Sequence, residues 1–180
     1  MATSPNVDNV SMLTGVLKWK PEGEGSYRDL GEVSSFSTSM NFTPKPFLSH
    51  RGGALVQVKE STTEKALTVT LTMNEASDLN LAMFAAGDIS GDPAVIQIGT
   101  SQPKGALRYI GKNDEGIKTQ IDLFNVVFSP SGDTDWLQGD DWAGWTLEGR
   151  VLAYLNDDGK YAFGEMRPDT DGEEQEVSPP

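Results

Sequence analysis

Hydrophobic and polar residues alternate strictly along residues 66–73, which have the sequence ALTVTLTM. The apolar positions are Leu67, Val69, Leu71 and Met73, and threonines stand between them. A period of two is typical of a β-strand with one buried face, and β-branched threonines favour the strand conformation on its other face. The pattern therefore predicts a strand over residues 66–73 that packs on a hydrophobic core.

The period changes directly after this strand, where residues 74–87 carry the features of a short helix. Asn74 offers an N-cap, and Glu75 and Asp78 place negative charge in the first turn, where the helix dipole favours it. Apolar residues then recur at helical spacing and a glycine ends the pattern: Ala76, Leu79, Met83, Ala86 and Gly87. We expect one helix in a chain whose other patterns indicate strands.

Short alternating segments, separated by turns rich in glycine and proline, cover most of the remaining chain. They predict strands over residues 13–20, 31–42, 55–60, 94–98, 106–110, 118–128, 145–155 and 160–167. The expected fold class is mainly β: a β-sandwich or barrel with one flanking α-helix. We expect one domain over residues 1–167 and an acidic, proline-ended C-terminal arm over residues 168–180.

Alternation also assigns side chains to the two faces of the predicted sheet. In residues 31–42 we expect Phe36, Met40 and Phe42 to face the core. The opposite face then carries small polar groups, and polar residues of two later strands join them by the same argument. The predicted polar residues are Ser35, Ser37, Ser39, Asn41, Gln57, Gln120 and Asp122.

Residues 43–54, with the sequence TPKPFLSHRGGA, indicate a long loop because they contain two prolines and two glycines. Loops of this length in compact domains are usually functional or disordered. This one combines large apolar residues with cations, and aromatic residues and arginine are typical anchors of protein interfaces. We expect it to contact another chain through Pro44, Lys45, Phe47, Leu48, His50 and Arg51.

The charge balance excludes one class of partner. The chain has 14 lysine and arginine residues against 27 aspartate and glutamate residues, a formal net charge of −13. Tight or sequence-specific DNA binding is not expected, because phosphate contacts require clustered cations.

The chain has no cysteine, which excludes disulfides and thiolate chemistry. No segment approaches the ~18 uninterrupted apolar residues of a membrane span, so no membrane association is expected.

Candidate catalytic residues are few. His50 is the one histidine, and no G-x-S-x-G nucleophile motif accompanies it. Residues 105–112 resemble a phosphate-binding loop, but the spacing is one residue too long and Asn113 stands where serine or threonine would bind magnesium. The sequence therefore predicts no enzyme, no catalytic residue and no cofactor.

Carboxylates and tryptophans in the second half of the chain have alternative interpretations. An acidic group offers oxygen ligands that suit calcium, but it lacks the spacing of an EF-hand, so we favour a solvated loop and predict no metal site. This group is Asp133, Asp135, Asp140 and Asp141. Three tryptophans could form a stacking face for a sugar, although aromatic residues of this kind more often pack in cores or interfaces. They are Trp136, Trp142 and Trp145.

The order of these patterns resembles that of the major tail tube proteins of long-tailed, siphovirus-type bacteriophages. The similar features are the early strand pair with its long loop and the strand–helix element LTVTLTMNEASDLNLAMFAAG at residues 67–87. The closing part of the chain, from NVVFSPSG at residues 125–132 to AFGEMR at residues 162–167, also looks like the closing strands of that family. By this resemblance the chain is identified as a member of the tail-tube and injection-tube superfamily.

The resemblance implies a virion structural protein that is not an enzyme and that is assembled in the host cytoplasm. Its subunits would form stacked hexameric rings, in which an inner sheet of each subunit contributes to a ring-shaped β-barrel. The tube would conduct the DNA genome during ejection without binding it specifically. The implied partners are other copies of the chain and the tape measure, terminator and distal tail proteins.

Under this interpretation, the predicted polar residues line the lumen and residues 43–54 contact neighbouring subunits. Other functions fit parts of the pattern. Secreted tubes of bacterial injection systems share the fold, a carbohydrate-binding β-sandwich would use the three tryptophans, and a hydrolase would use His50 as a base. Neither of the last two explains the long loop or the strand–helix element.

Overall fold

The computed structural model describes residues 13–99, 101–113, 116–132, 136, 142–170 and 173–176. Within these residues the chain is mostly β-strand, with one large antiparallel sheet and one short helix. The predicted fold class, a mainly β domain with one flanking helix, is confirmed. No helix in the described ranges is long and apolar enough to cross a membrane.

The elements follow one another in chain order with these bounds: β1 (Gly15–Pro21), β2 (Arg28–Asp29), β3 (Val33–Ser49), β4 (Val56–Met73), α1 (Asp78–Phe84), β5 (Ile89–Ser90), β6 (Val95–Ile96), β7 (Lys104–Gly111), β8 (Lys118–Pro130), β9 (Trp145–Val151), β10 (Tyr154–Leu155), β11 (Tyr161–Ala162) and β12 (Glu165–Thr170).

The large sheet has the strand order β2–β1–β7–β8–β9–β4–β3, and β12 pairs with β8 beside this path. The sheet curls back on itself. Phe36 of the edge strand β3 stacks on Tyr109 of β7, which lies near the other edge, with ring centroids 5.8 Å apart. The two ends of one sheet therefore enclose the core, as in a β-sandwich.

The core lies on the inner face of this curled sheet. Trp19 of β1 packs edge-on against Phe128 of β8 with ring centroids 5.2 Å apart, and both side chains are buried. The alternating apolar residues of β4 pack into the same cluster, as predicted: Leu67, Val69, Leu71 and Met73. Burial of each large aliphatic side chain contributes about 1.5–3 kcal/mol, so this cluster stabilises the central strands.

Helix α1 begins later than its sequence predicts. The N-cap is Ser77 rather than Asn74, and its side chain accepts a hydrogen bond from the Asn80 backbone N–H at 3.3 Å. Leu79, predicted on the apolar side of the helix, is exposed, while Asn80 is buried and donates through Nδ2 to the Leu30 carbonyl at 2.8 Å. Asn74 and Ser77 both have side chains that can cap a helix, so capping chemistry alone does not select the start of α1.

The predicted loop over residues 43–54 is wrong. Strands β3 and β4 form one long antiparallel hairpin, and its turn lies between Ser49 and Val56. The prolines Pro44 and Pro46 suggested a strand break, but β3 is the edge of the described sheet. An edge strand tolerates proline, because the missing N–H faces away from the partner strand. The predicted strands at 55–60 and 66–73 are likewise one strand.

The predicted strand over residues 160–167 is divided between two strands, β11 and β12. A tight turn over residues 156–159 joins β10 to β11, and its sequence Asn-Asp-Asp-Gly is typical of hairpin turns. The next strand, β12, pairs with β8, where Arg167 lies opposite Gln120. It continues to Thr170 and so passes the predicted domain boundary at residue 167. The sheet therefore includes the first residues of the predicted arm.

Candidate assembly surfaces

The long hairpin has two parts with different environments. We define the inner hairpin as residues 33–41 and 66–73, and the outer hairpin as residues 42–65. In the outer hairpin every side chain except that of Ser49, which is half-buried, is exposed. The strands therefore continue well beyond the core as a two-stranded extension, which is at best marginally stable in water without further contacts.

Large apolar side chains are exposed on this extension. Phe47 is 64% exposed and Leu48 is 43% exposed. Because they are adjacent in one strand, alternation directs them to opposite faces of the hairpin. Further exposed apolar residues of the outer hairpin are Phe42, Leu55, Val56 and Val58. Both faces of the extension thus present apolar surface to solvent.

The residues predicted for the interface lie along this extension. Pro44, Lys45, Phe47 and Leu48 are on β3, and all are exposed. His50 and Arg51 lie at the turn, and the backbone N–H of Gly53 donates to the His50 carbonyl at 3.2 Å. Gly53 has a φ of +81°, which favours glycine. The structure thus places the six residues together on one exposed element, and their contact with another chain stays a prediction.

The polar face predicted for β3 has the expected alternation. Directly opposite residues share a face in an antiparallel pair, and Ser35, Ser37 and Ser39 lie opposite threonines of β4. The face continues onto β9, where the Thr72 and Thr146 hydroxyls are 3.0 Å apart. We call this set the hydroxyl face: Ser35, Ser37, Ser39, Asn41, Thr68, Thr70, Thr72 and Thr146.

Burial on the opposite side of β3 ends earlier than predicted. Phe36 is half-buried against Tyr109, as expected, but Met40 and Phe42 are about half exposed. Alternation specifies the face of a side chain and not how far the core reaches along the strand. The strand here continues past the residues that could cover it.

Gln57 does not share the hydroxyl face. It lies opposite Leu48, which has the parity of Phe36 and Met40, so the register corrects the predicted grouping of Gln57 with the serines. Val56 and Val58, which flank Gln57 in the sequence, are both exposed, so burial does not determine the face of Gln57. Two register shifts on β4, at Thr63 and Val58, lie between the inner hairpin and Gln57, so the side on which Gln57 lies depends on both of them.

Gln120 and Asp122 correct the prediction in another way. On β8 their side chains lie on the other face of the strand from that of Ile121, as expected. Both side chains, however, are fully buried within the chain. A lumen-lining side chain must be exposed, so these two do not belong to an exposed wall in this structure. They are covered by Arg108 and by the C-terminal segment, which we define as residues 173–176.

Asp122 is the centre of a buried polar network. Its Oδ1 accepts a hydrogen bond from Arg108 Nε at 2.5 Å, and its Oδ2 accepts from Arg167 Nη1 at 3.1 Å. Gln120 Nε2 also donates to Oδ2, at 2.7 Å. Arg108 is stacked under the Tyr27 ring at 4.2 Å from its centroid. This arrangement satisfies the buried carboxylate with two cations and an amide.

The C-terminal segment completes the network from outside. Glu174 forms ion pairs with Lys18 and with Arg108, whose Nη1 lies 2.6 Å from Glu174 Oε1. Partial burial works to raise the pKa of Glu174, but hydrogen bonds from Lys18 and Arg108 outweigh it and hold the pKa below its ordinary value of 4.5. Burial likewise works to lower the pKa of Arg108, and its bonds to Asp122 and Glu174 raise it overall.

An apolar groove of about 350 Å³ lies beside the inner hairpin, between β4, β8 and β12. Met40 and Met166 at its rim are exposed by more than half. The groove is lined by Met40, Leu67, Ile121, Leu123, Phe163 and Met166. The sequence did not predict it, because its walls come from strands far apart in the chain.

The three tryptophans do not form one exposed face. Trp145 is buried in the core, whereas Trp136 and Trp142 are exposed, and the rings of Trp136 and Trp145 are tilted at 54° to each other. A flat sugar platform that uses all three rings is therefore not present.

The acidic residues considered for calcium, Asp133, Asp135, Asp140 and Asp141, lie outside the described residues. Within the described ranges, no three acidic or histidine side chains group as a metal site.

Comparisons with known proteins give structural neighbours only. No protein-family model matches the chain, and no curated protein matches its sequence. One similar structure is a chain of the tail of an empty GTA particle refined with C6 symmetry: 13% identity, 89% of this chain and 98% of that chain covered, TM-score 0.44. Another is a chain of the sixfold-symmetrised baseplate of the anti-feeding prophage: 14% identity, 92% and 97% covered, TM-score 0.47.

Proposed function

We propose that the chain is a structural subunit of a phage-type tail tube, without enzymatic activity, that self-assembles into stacked rings. In the finer form of the proposal the rings are hexameric and belong to a siphovirus-type virion. The tube then conducts the DNA genome, and its ends contact other tail proteins. The sequence resemblance supports this proposal, and the geometry of the long hairpin adds a physical reason for assembly.

The observation that carries the proposal is the outer hairpin. It presents apolar side chains on both faces, with Phe47 on one and Leu48 on the other. A single chain cannot bury both faces of a two-stranded extension, since only one face can be turned toward its own domain. Insertion between neighbouring subunits buries both. Repetition of this contact by symmetry generates rings or stacks.

Unpaired strand edges support the same proposal. Among the described strands, β3 pairs with β4 alone, so its outer edge presents free backbone groups except at Pro44 and Pro46, which have no N–H. The stretch before these prolines is a long exposed edge, which favours aggregation unless another chain covers it. A closed ring of subunits removes such edges, because each edge is covered by the next copy.

The hydroxyl face is the proposed wall of the tube. Small hydroxyl groups offer few strong contacts to phosphate, and tight DNA binding requires clustered cations. On the same face of β9, Glu148 lies opposite Thr70 and Arg150 lies opposite Thr68, which places opposite charges side by side. We infer a wall that is polar and close to neutral, along which DNA moves without being held.

The apolar groove is a proposed acceptor for the outer hairpin of a neighbour. Its lining is largely aliphatic and thioether, which suits side chains such as Phe47 and Leu48. Met40 lines the groove and belongs to β3, the strand that continues into the outer hairpin. A second copy that contacts both surfaces would bury them together.

Analytical ultracentrifugation and electron microscopy of the purified chain test the proposal. We expect rings or tubes with a central lumen at high concentration or after nucleation by a tail complex. A variant in which an Asn-Gly turn replaces residues 44–63 keeps the pair Thr43 and Glu64 at the hairpin end. It is expected to unfold at the same temperature as the parent and to stay monomeric.

Two outcomes contradict the proposal. A parent chain that stays monomeric under all these conditions argues against assembly itself. Normal tubes formed by the shortened variant leave assembly intact but remove the outer hairpin from its interface.

A further inference from the structure

The outer side of β1, β7 and β8 carries a second candidate binding surface, apart from the long hairpin. Lys18 and Arg108 lie opposite each other on β1 and β7, and Arg108 lies opposite Asp122 on β8. The Arg108 side chain is only 3% exposed. A cation buried to this degree requires carboxylate partners, and one of them, Glu174, comes from a segment 66 residues away along the chain.

Without the C-terminal segment the ion-pair network on this surface would have an excess of positive charge. Its three cations, Lys18, Arg108 and Arg167, would then have two carboxylates, Asp122 and Glu165. Arg108 Nη2 is buried and has no hydrogen-bond partner among the described residues. The surface is therefore built to accept an anionic group, and a carboxylate matches the geometry of the guanidinium.

Gln120 adds recognition of the peptide backbone. Its Nε2 donates to the Gln175 carbonyl at 3.0 Å, and its Oε1 accepts from the Gln175 backbone N–H at 2.9 Å. This two-way pairing copies the hydrogen bonds that one strand offers to another. The Gln120 side chain therefore recognises the backbone of an extended segment and does not depend on the side chain at position 175. The site thus combines a carboxylate contact with a backbone contact at the next residue.

We propose that this surface is a receptor for an extended acidic peptide segment, which its own C-terminal segment occupies in cis and the same segment of a second copy can occupy by exchange. The contacts of Glu174 and Gln175 do not depend on which chain supplies them. A tethered segment acts at an effective concentration of the order of mM, so it competes strongly against a free one. Loosening the cis segment therefore opens the receptor.

Binding of a fluorescent peptide of residues 169–180 to full-length chains tests this proposal. Two variants loosen the cis segment without changing the receptor: E174Q removes the carboxylate, and Q175P removes the backbone N–H that bonds Gln120. Both are expected to bind the peptide at least about tenfold more tightly than the parent does. The matched control E173Q alters the neighbouring glutamate, which makes none of the receptor contacts described above, and should bind like the parent.

Specificity is tested with the peptide itself. A peptide that carries E174Q should bind the Q175P chain about tenfold more weakly than the natural peptide, and a scrambled peptide of the same composition should do the same. Equal binding of all peptides, or equal binding to E173Q and Q175P, overturns the proposal. The proposal is also overturned if E174Q and Q175P both fail to bind the natural peptide although they unfold at the same temperature as the parent. These measurements use unassembled chains, so they do not depend on whether the proposed tube forms.

Discussion

The two parts of the long hairpin have similar pairing and very different surroundings. In the inner hairpin, Val69 of β4 is completely buried, whereas Val58, on the same strand, is 59% exposed in the outer hairpin. Both parts have β-branched residues, alternation and an antiparallel partner. Both parts are strands because both are paired. They differ in burial, since only the inner hairpin contributes apolar side chains to the core.

This difference separates two roles that are usually combined in a strand. The inner hairpin holds the domain together, because its apolar face packs against β8 and β9 in the main cluster. The outer hairpin continues the same two strands into solvent, and none of its apolar side chains belongs to the main cluster. Substitutions in the two parts should thus affect different measurements, folding in one and association in the other.

The largest effect is expected from the double variant F47S/L48S of the outer hairpin. Central apolar anchors of an interface contribute about 2 kcal/mol or more each, so association should weaken by about a thousandfold. Sedimentation velocity across a concentration series measures the change, and the unfolding temperature should not move.

The matched control is L155S/Y161S, which removes two exposed apolar side chains from the β10–β11 hairpin. If this control weakens association as much as F47S/L48S does, the outer hairpin has no special role.

A smaller effect on a different quantity is expected from V69A. The substitution removes two buried methyl groups and leaves a cavity, so the free energy of unfolding should fall by about 2–3 kcal/mol. The same change at the exposed position, V58A, should alter it by less than about 0.5 kcal/mol. Urea unfolding measures both. Equal losses would show that the outer hairpin also contributes to the stability of the isolated chain.

Acid should loosen the C-terminal segment. The pKa of Glu174 is below its ordinary value in the folded chain, so its contribution is present above about pH 4.5 and is lost as the pH falls through the lower, folded value. The nuclear magnetic resonance signal of the Gln175 backbone amide should report release below pH 4.5, and E174Q should remove this transition. A midpoint at or above 4.5 contradicts the stabilising contacts with Lys18 and Arg108.

The smallest structural effect is expected from lysines on the hydroxyl face. S35K, S37K and S39K change exposed positions, so each should alter the free energy of unfolding by less than about 0.5 kcal/mol. Assembly should persist, but each new phosphate contact adds about 0.7–0.9 to the salt dependence of DNA binding. Filter binding at several salt concentrations measures this slope. A slope that does not change would place the face away from the DNA path.

The sequence predicted the inner hairpin well because local pattern and tertiary burial agree there. Leu67 to Met73 alternate in sequence and alternate in burial. It failed for residues 43–54, since Pro44 and Pro46 break a central strand but not an edge strand, and edge position is a property of the whole sheet. It also placed the helix start at Asn74 instead of Ser77, because both side chains can cap a helix.

The candidate surfaces divide in the same way. The parity of Ser35, Ser37 and Ser39 followed from alternation, but the burial of Gln120 and Asp122 did not. Their cover comes from Arg108 on the adjacent strand and from the C-terminal segment, more than 50 residues later. Alternation indicates on which face of the sheet a polar side chain lies. Whether that face is covered depends on tertiary contacts with other parts of the chain.

Two register shifts in the outer hairpin have a geometric consequence. Thr63 and Val58 of β4 are extra residues with no direct partner on β3, so β4 follows a longer path than β3 over the same span. A strand pair of unequal contour length bends and gains right-handed twist at each such point. The direction in which the hairpin end points is thus encoded by two single residues. Deletion of either would straighten the curve and point the hairpin end in a different direction.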